Sequence, residues 1–147
     1  MTRRSRKIGK IASIAAAAER RLGELTGRAR KLLEEPLDRL GELNAFRHDD
    51  VKKSQARSTL NSAHWQDYQK FLHRLDGALK AQQQIVRESE RTLETHRQRW
   101  IAERQRLESL ERVIEKCEAE ERAHESRLEQ KRMDELPIKR SSFGDDD

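Results

Sequence analysis

The sequence predicts an all-α protein: a two-helix antiparallel coiled-coil hairpin whose second helix is the longer one. Charged residues make up 40% of the 147 residues and apolar residues only 33%, too few to fill the core of a compact globule of this length. Apolar residues nevertheless recur at helical spacing over long stretches, which a disordered chain does not show. High charge, sustained apolar periodicity and only two prolines together favour long paired helices.

The second helix is predicted over residues 62–136, where one heptad repeat continues without a skip. With Trp65 at position a, nine of eleven a positions are apolar. These positions are Trp65, Leu72, Leu79, Val86, Leu93, Trp100, Leu107, Ile114, Glu121, Leu128 and Glu135. The d positions are mostly polar, so the predicted seam is narrow, and its strict spacing of seven predicts a left-handed supercoil. Asn61 or Ser62 is placed to cap this helix and Pro137 to end it.

The first helix is predicted over residues 8–48 and has a less regular pattern. Its apolar or small residues are Ile8, Ile11, Ala15, Ala18, Leu22, Leu25, Ala29, Leu33, Leu37 and Leu40. Three successive steps of four between Leu25 and Leu37 predict a stutter, which locally unwinds a left-handed supercoil. Pro36 lies within the stutter and predicts a kink, because proline removes one backbone hydrogen bond from a helix.

Residues 49–61 interrupt the apolar pattern and are predicted to connect the two helices. One unbroken helix is the alternative, but two amphipathic helices in one chain meet at high effective concentration, which favours the hairpin. A hairpin centred near residue 56 places Trp100 opposite residues 12–16. It also leaves the second helix without a partner beyond residue 104. An unpartnered apolar stripe is then predicted to bind a partner or a second copy; it consists of Leu107, Leu110, Ile114, Cys117 and Leu128.

The two ends of the chain differ in charge, with a basic arm at residues 1–7 and an acidic tail at residues 137–147. No aromatic residue accompanies the arm for base stacking, and the middle of the chain has no continuous basic face. The arginines and the Ile/Ala stretch after them imitate an export signal, which Gly9, Lys10 and Ser13 interrupt. We expect no nucleic-acid partner. We also expect no membrane span, since no stretch approaches the roughly 20 apolar residues that a span needs.

The sequence contains no pattern typical of a catalytic, cofactor-binding or metal-binding site. His96, Cys117 and His124 share the d face, but ligands two turns apart cannot close one metal site unaided. A two-helix hairpin encloses no concave cavity for a catalytic centre. The single cysteine excludes a disulfide within the chain and suits a reducing cytosol. We expect a non-catalytic cytoplasmic protein, without cofactor or metal, whose function is to bind other proteins.

Phe71 is the side chain that most clearly suggests a protein-binding site. It lies at position g, beside the seam. Phe71, Leu75, Ala78 and Gln82 step by four, three and four, and so form a second stripe next to the core stripe. An aromatic residue in such a place on a highly polar helix is typical of an interface anchor. The alternative is that its ring only covers the flank of the seam.

Three segments carry a resemblance to a known family. They are WQDYQKFL at residues 65–72, RLEQKRMDE at residues 127–135 and LGEL at residues 22–25. With the chain length and the hairpin layout, they resemble the FliJ family, the small soluble component of the bacterial flagellar type III export apparatus. The resemblance implies an antiparallel coiled coil similar to the central stalk (gamma) subunit of rotary ATPases.

The resemblance also implies partners: the export ATPase ring, the export gate protein FlhA and export chaperones. It implies a peripheral location at the inner face of the cell membrane, at the flagellar base. The gate-binding residues that it implies are Phe46, Phe71, Leu75, Ala78 and Gln82. Arg39 and Glu42 stand where the family has aromatic residues. By analogy with a stalk, the residues expected at the ATPase ring are Leu107, Leu110, Ile114 and Leu128.

Two other functions stay open from the sequence alone. A coiled-coil scaffold would dimerise through the stripe in residues 107–128. A nucleic-acid-binding protein would use the basic arm, and its binding would fall steeply with salt.

Overall fold

The computed structural model describes residues 3–56 and 62–141, and all of these residues are α-helical. Helix α1 is Arg3–Ala56, with 54 residues, and helix α2 is Ser62–Ser141, with 80 residues. The two helices pack against each other, which confirms the predicted all-α hairpin with a longer second helix. The alternative of one unbroken helix is wrong, because side chains of α1 contact side chains far along α2.

Both helices extend beyond their predicted bounds. Helix α1 begins at Arg3 rather than at residue 8, and it continues eight residues past residue 48. Residues 3–7 of the basic arm and residues 49–56 of the predicted connector are therefore helical. Helix α2 passes Pro137 and ends at Ser141, and α1 likewise passes Pro36. Each proline costs one backbone hydrogen bond without ending its helix. Residues 1–2 of the arm, residues 57–61 with the predicted cap Asn61, and the tail residues 142–147 lie outside the described part of the chain.

The helices contribute to two compact units. The middle unit is Arg21–Ile101, and the terminal unit combines Met1–Arg20 with Ala102–Asp147. Each unit pairs a segment of α1 with a segment of α2. No helix in the described ranges is long and apolar enough to cross a membrane.

In the middle unit the predicted register of α2 is confirmed. Apart from Asp76 and Ile101, the side chains that are buried or half-buried alternate in steps of four and three. They are Tyr68, Leu72, Leu75, Leu79, Gln82, Val86, Ser89, Leu93, His96 and Trp100. Trp65 departs from the prediction, since it is 51% exposed at the start of α2 and packs on Tyr68, with ring centroids 6.1 Å apart.

The predicted stutter in α1 is wrong. The seam side chains of α1 in the middle unit also alternate in steps of four and three, with Leu25 and Val51 half-buried beside them. The seam consists of Leu22, Thr26, Ala29, Leu33, Pro36, Leu40, Leu43, Arg47, Asp50 and Ser54. Thr26 is 2% exposed and its hydroxyl donates a hydrogen bond to the Leu22 carbonyl oxygen at 2.7 Å, so the seam tolerates it. Leu37, which the prediction placed in the seam, is 42% exposed.

The pairing of the two helices is shifted from the prediction. In the middle unit Trp100 packs on Gly23, about two turns beyond the predicted residues 12–16. In the terminal unit the Ser5 hydroxyl donates a hydrogen bond to Glu121 Oε1 at 2.8 Å. Helix α1 therefore has partners as far as residue 121 of α2, and the expected loss of partner beyond residue 104 is wrong. The cause is the length of α1, which continues to Ala56 where a connector was expected.

Candidate protein-binding surfaces

Phe46 and Phe71 form an aromatic pair beside the seam of the middle unit. Their ring centroids are 6.2 Å apart and their planes are inclined at 74°, the edge-to-face arrangement that aromatic rings prefer. Each phenylalanine immediately precedes a seam residue in the sequence, Arg47 on α1 and Leu72 on α2. Both rings therefore project from the same flank of the hairpin. Phe46 is 54% exposed and Phe71 is 37% exposed, which leaves much of both rings in contact with water.

The opposite flank carries an ion pair close to the same level. Arg47 Nε donates to Asp76 Oδ1 at 2.6 Å, and both side chains are partly exposed. The hydrogen bond that Arg47 donates to Asp76, followed by the negative charge of Asp76, raises the pKa of the Arg47 guanidinium. This pair joins α1 to α2 on the flank opposite the phenylalanine rings.

Two residues that were expected on the binding stripe lie in the seam instead. Leu75 is 8% exposed and Gln82 is 7% exposed. Gln82 Nε2 donates to the Pro36 carbonyl oxygen at 3.0 Å, so its polar group is satisfied within the hairpin. Ala78 is exposed, as expected. Of the five expected gate-binding residues, the exposed ones are therefore Phe46, Phe71 and Ala78.

Sequence reasoning missed Leu32 and Ile85, which are 72% and 46% exposed. They line an open groove of about 250 Å³ in the middle unit, together with Ala29, Glu88, Ser89 and Thr92. The signal was present in the sequence, because steps of seven from Phe71 lead to Ala78 and then to Ile85. Steps of seven keep to one flank of a coiled coil, whereas steps of four and three turn into the seam.

Comparison with known families decides the identity of the chain. The family described as flagellar FliJ protein matches residues 5–142. The chain belongs to the FliJ family. No curated protein matches it. Membership of the FliJ family makes the chain a component of flagellar protein export.

The residues expected at the ATPase ring of this FliJ-family protein divide into two groups. Leu107, Leu110 and Ile114 are half-buried within the terminal unit, where they occupy the seam positions of α2. Leu128 is 44% exposed. It belongs to a segment, residues 122–136, in which every side chain is exposed, including Met133 at 70% and Leu136 at 62%.

The described residues of the FliJ-family chain contain no cluster of three or more side chains that could hold a metal ion. His96 is half-buried in the seam of the middle unit, and its Nδ1 atom is buried without a hydrogen-bond partner. Cys117 is half-buried in the terminal unit as a free thiol, whereas His124 is exposed. Cys117 and His124 line one open groove of the terminal unit, whereas His96 belongs to the middle unit.

Proposed function

We propose that this FliJ-family protein binds the export gate through the Phe46–Phe71 pair and the export ATPase ring through the end of α2, with no chemistry of its own. Handling of export chaperones belongs to the same proposal, as does a peripheral location at the inner face of the cell membrane. The observation that supports it best is the aromatic pair, because it is an exposed aromatic cluster that both helices build together.

The chemistry of the aromatic pair supports gate binding. Large aromatic side chains dominate the binding free energy of many interfaces, since each buries a large apolar area at low cost in side-chain entropy. The two phenylalanine rings already pack against each other. A partner that covers them therefore causes only a small further loss of side-chain conformational entropy. A gate surface with an apolar pocket would gain from covering both rings and the exposed Ala78 beside them.

We assign binding of the export ATPase ring to residues 122–136 of α2, where Leu128, Met133 and Leu136 are exposed. Leu107, Leu110 and Ile114 contribute to the hairpin seam instead, so a partner would have to open the hairpin to contact them. Leu128, Met133 and Leu136 are the large apolar side chains of an otherwise highly charged segment, and a partner with an apolar groove would gain by covering them.

The test is a titration of the purified export gate with the full chain and three variants. Phe71→Ala and Phe46→Ala should each weaken gate binding, by about thirtyfold for a ring worth 2 kcal/mol. Gln83→Ala is the matched control, because Gln83 is exposed on the opposite flank of α2. Equal affinity of the Phe71→Ala and Gln83→Ala variants would reject the proposed gate surface.

A further inference from the structure

We infer that the groove between Leu32 and Ile85 is a second docking site, and that its occupant is an amphipathic helix of a partner protein. The groove lies in the middle unit and is lined by both helices. This site is separate from the aromatic pair, so the inference stands whether or not the aromatic pair binds the gate.

The groove exists because small residues occupy the seam beneath it. Ala29 is 6% exposed and Ser89 is half-buried, so neither side chain fills the space between the helices. The open volume is about 250 Å³. Sites for small molecules are usually larger, about 300–1,000 Å³, and more enclosed. The space fits one or two side chains of a protein partner instead.

The rim of the groove is apolar where an occupant would contact it. Leu32 is 72% exposed and Ile85 is 46% exposed, and both are aliphatic. Covering them removes apolar surface from water, which is the main driving force for docking an amphipathic helix. A large apolar side chain of the occupant would lie between them, above Ala29.

Two charges near the groove specify the polar residues of the occupant. Arg39 is exposed seven residues from Leu32 on the same flank of α1, and it forms none of the ion pairs found among the described residues. Glu88 lines the groove on α2, where Gln84 Nε2 donates to its Oε1 at 3.3 Å. An occupant helix complements both charges if it carries an acidic residue about two turns from its central apolar residue, facing Arg39, and a basic residue facing Glu88.

The test uses the full chain and three synthetic peptides of about 20 residues, long enough to be helical in an Ala-rich background. The matched peptide carries Leu at its centre, Glu two turns away and Lys on the adjacent face. In the exchanged peptide the Glu and Lys positions are swapped, and in the third peptide Ala replaces the central Leu. Binding is followed by the NMR signals of the Leu32 and Ile85 methyl groups.

The matched peptide should shift both methyl signals and bind about three- to tenfold more tightly than the exchanged peptide. The Leu-to-Ala peptide should bind about tenfold more weakly. Arg39→Glu should narrow or reverse the preference between the two charged peptides. Leu32→Ser should abolish binding while the melting temperature is retained, since Leu32 is largely exposed. Equal binding of all three peptides, shifts that map elsewhere, or no shifts at millimolar peptide would overturn the inference.

Discussion

Gly23 packs directly against the Trp100 indole in the seam of the middle unit. A Cβ atom on Gly23 would lie 3.2 Å from Trp100 Nε1, which is tighter than ordinary van der Waals contact. The glycine therefore makes room for the indole between the helices. Gly27, one turn along α1, has nothing within 4 Å of its Cβ position and provides a matched comparison.

The two glycines should respond differently to substitution. Gly27→Ala should stabilise the hairpin by about 0.5–1 kcal/mol, because glycine is the weaker helix former. Gly23→Ala should gain less, since Trp100 must shift to admit the methyl group. Gly23→Leu should destabilise by about 1–3 kcal/mol through overpacking. Urea unfolding measures all three, and an equal gain at both positions would contradict the Gly23–Trp100 contact.

The Arg47–Asp76 ion pair should make a small contribution that depends on salt, because both side chains are partly exposed. Asp76→Asn should lower the melting temperature slightly, and the exchange of both residues, Arg47→Asp with Asp76→Arg, should restore part of the loss. Added salt should reduce the difference. Melting curves at low and high salt measure the effect. A loss from Asp76→Asn that is unchanged by salt would show that charge is not its cause.

The same pair predicts how stability depends on pH. Asp76 raises the pKa of Arg47 in the folded state, so this contribution is fully present below the unfolded pKa and is lost only as pH rises through the folded value. Both lie far above neutrality, so titration of Arg47 should leave stability unchanged between about pH 6 and 9. The loss of stability caused by Arg47→Gln, measured at both ends of this range, should therefore be the same. A loss of stability from Arg47→Gln that is smaller at pH 9 than at pH 6 would contradict this prediction.

Truncation of α2 should separate partner binding from folding. A chain that ends at Glu121 keeps the Ser5–Glu121 hydrogen bond and every seam residue of the terminal unit. It should fold normally and fail to bind the export ATPase ring. A chain that ends at Ser109 also loses Ile114 and Cys117 from the seam, so it should melt at a lower temperature. Normal binding of the ATPase ring by the chain that ends at Glu121 would show that the contact lies elsewhere.

The heptads of α2 could be predicted from sequence because large apolar residues such as Leu79, Val86 and Trp100 mark position a. The register of α1 could not be predicted in this way. Thr26 and Pro36 occupy seam positions, whereas the nearby leucines Leu32 and Leu37 lie outside the seam. The pairing of the helices was wrong for a separate reason, because residues 49–56 continue α1 where a connector was predicted. The pattern of apolar residues does not show that a threonine can replace a leucine in a narrow seam when its hydroxyl donates to the carbonyl oxygen four residues earlier.

The binding surfaces were predictable only in part, for a related reason. Phe71 was found because an aromatic residue at position g is conspicuous on a polar helix. The stripe drawn from it followed steps of four and three, which turn toward the seam and led to Leu75 and Gln82. The Leu32–Ile85 groove depends on which small residues of the two helices meet, and this requires the pairing of α1 with α2.

The gate-binding role of Phe71 is tested most directly by comparing Phe71→Ala with Leu72→Ala in paired measurements of unfolding free energy and gate affinity. Leu72 is half-buried in the seam, so its truncation should cost about 1–3 kcal/mol of stability and leave gate affinity unchanged while the chain is folded. Phe71→Ala should cost about 1 kcal/mol or less, the contribution of an exposed edge-to-face pair, and weaken gate binding about thirtyfold. A Phe71→Ala chain that melts early and binds the gate normally when folded would place Phe71 in the core and contradict the proposed gate surface.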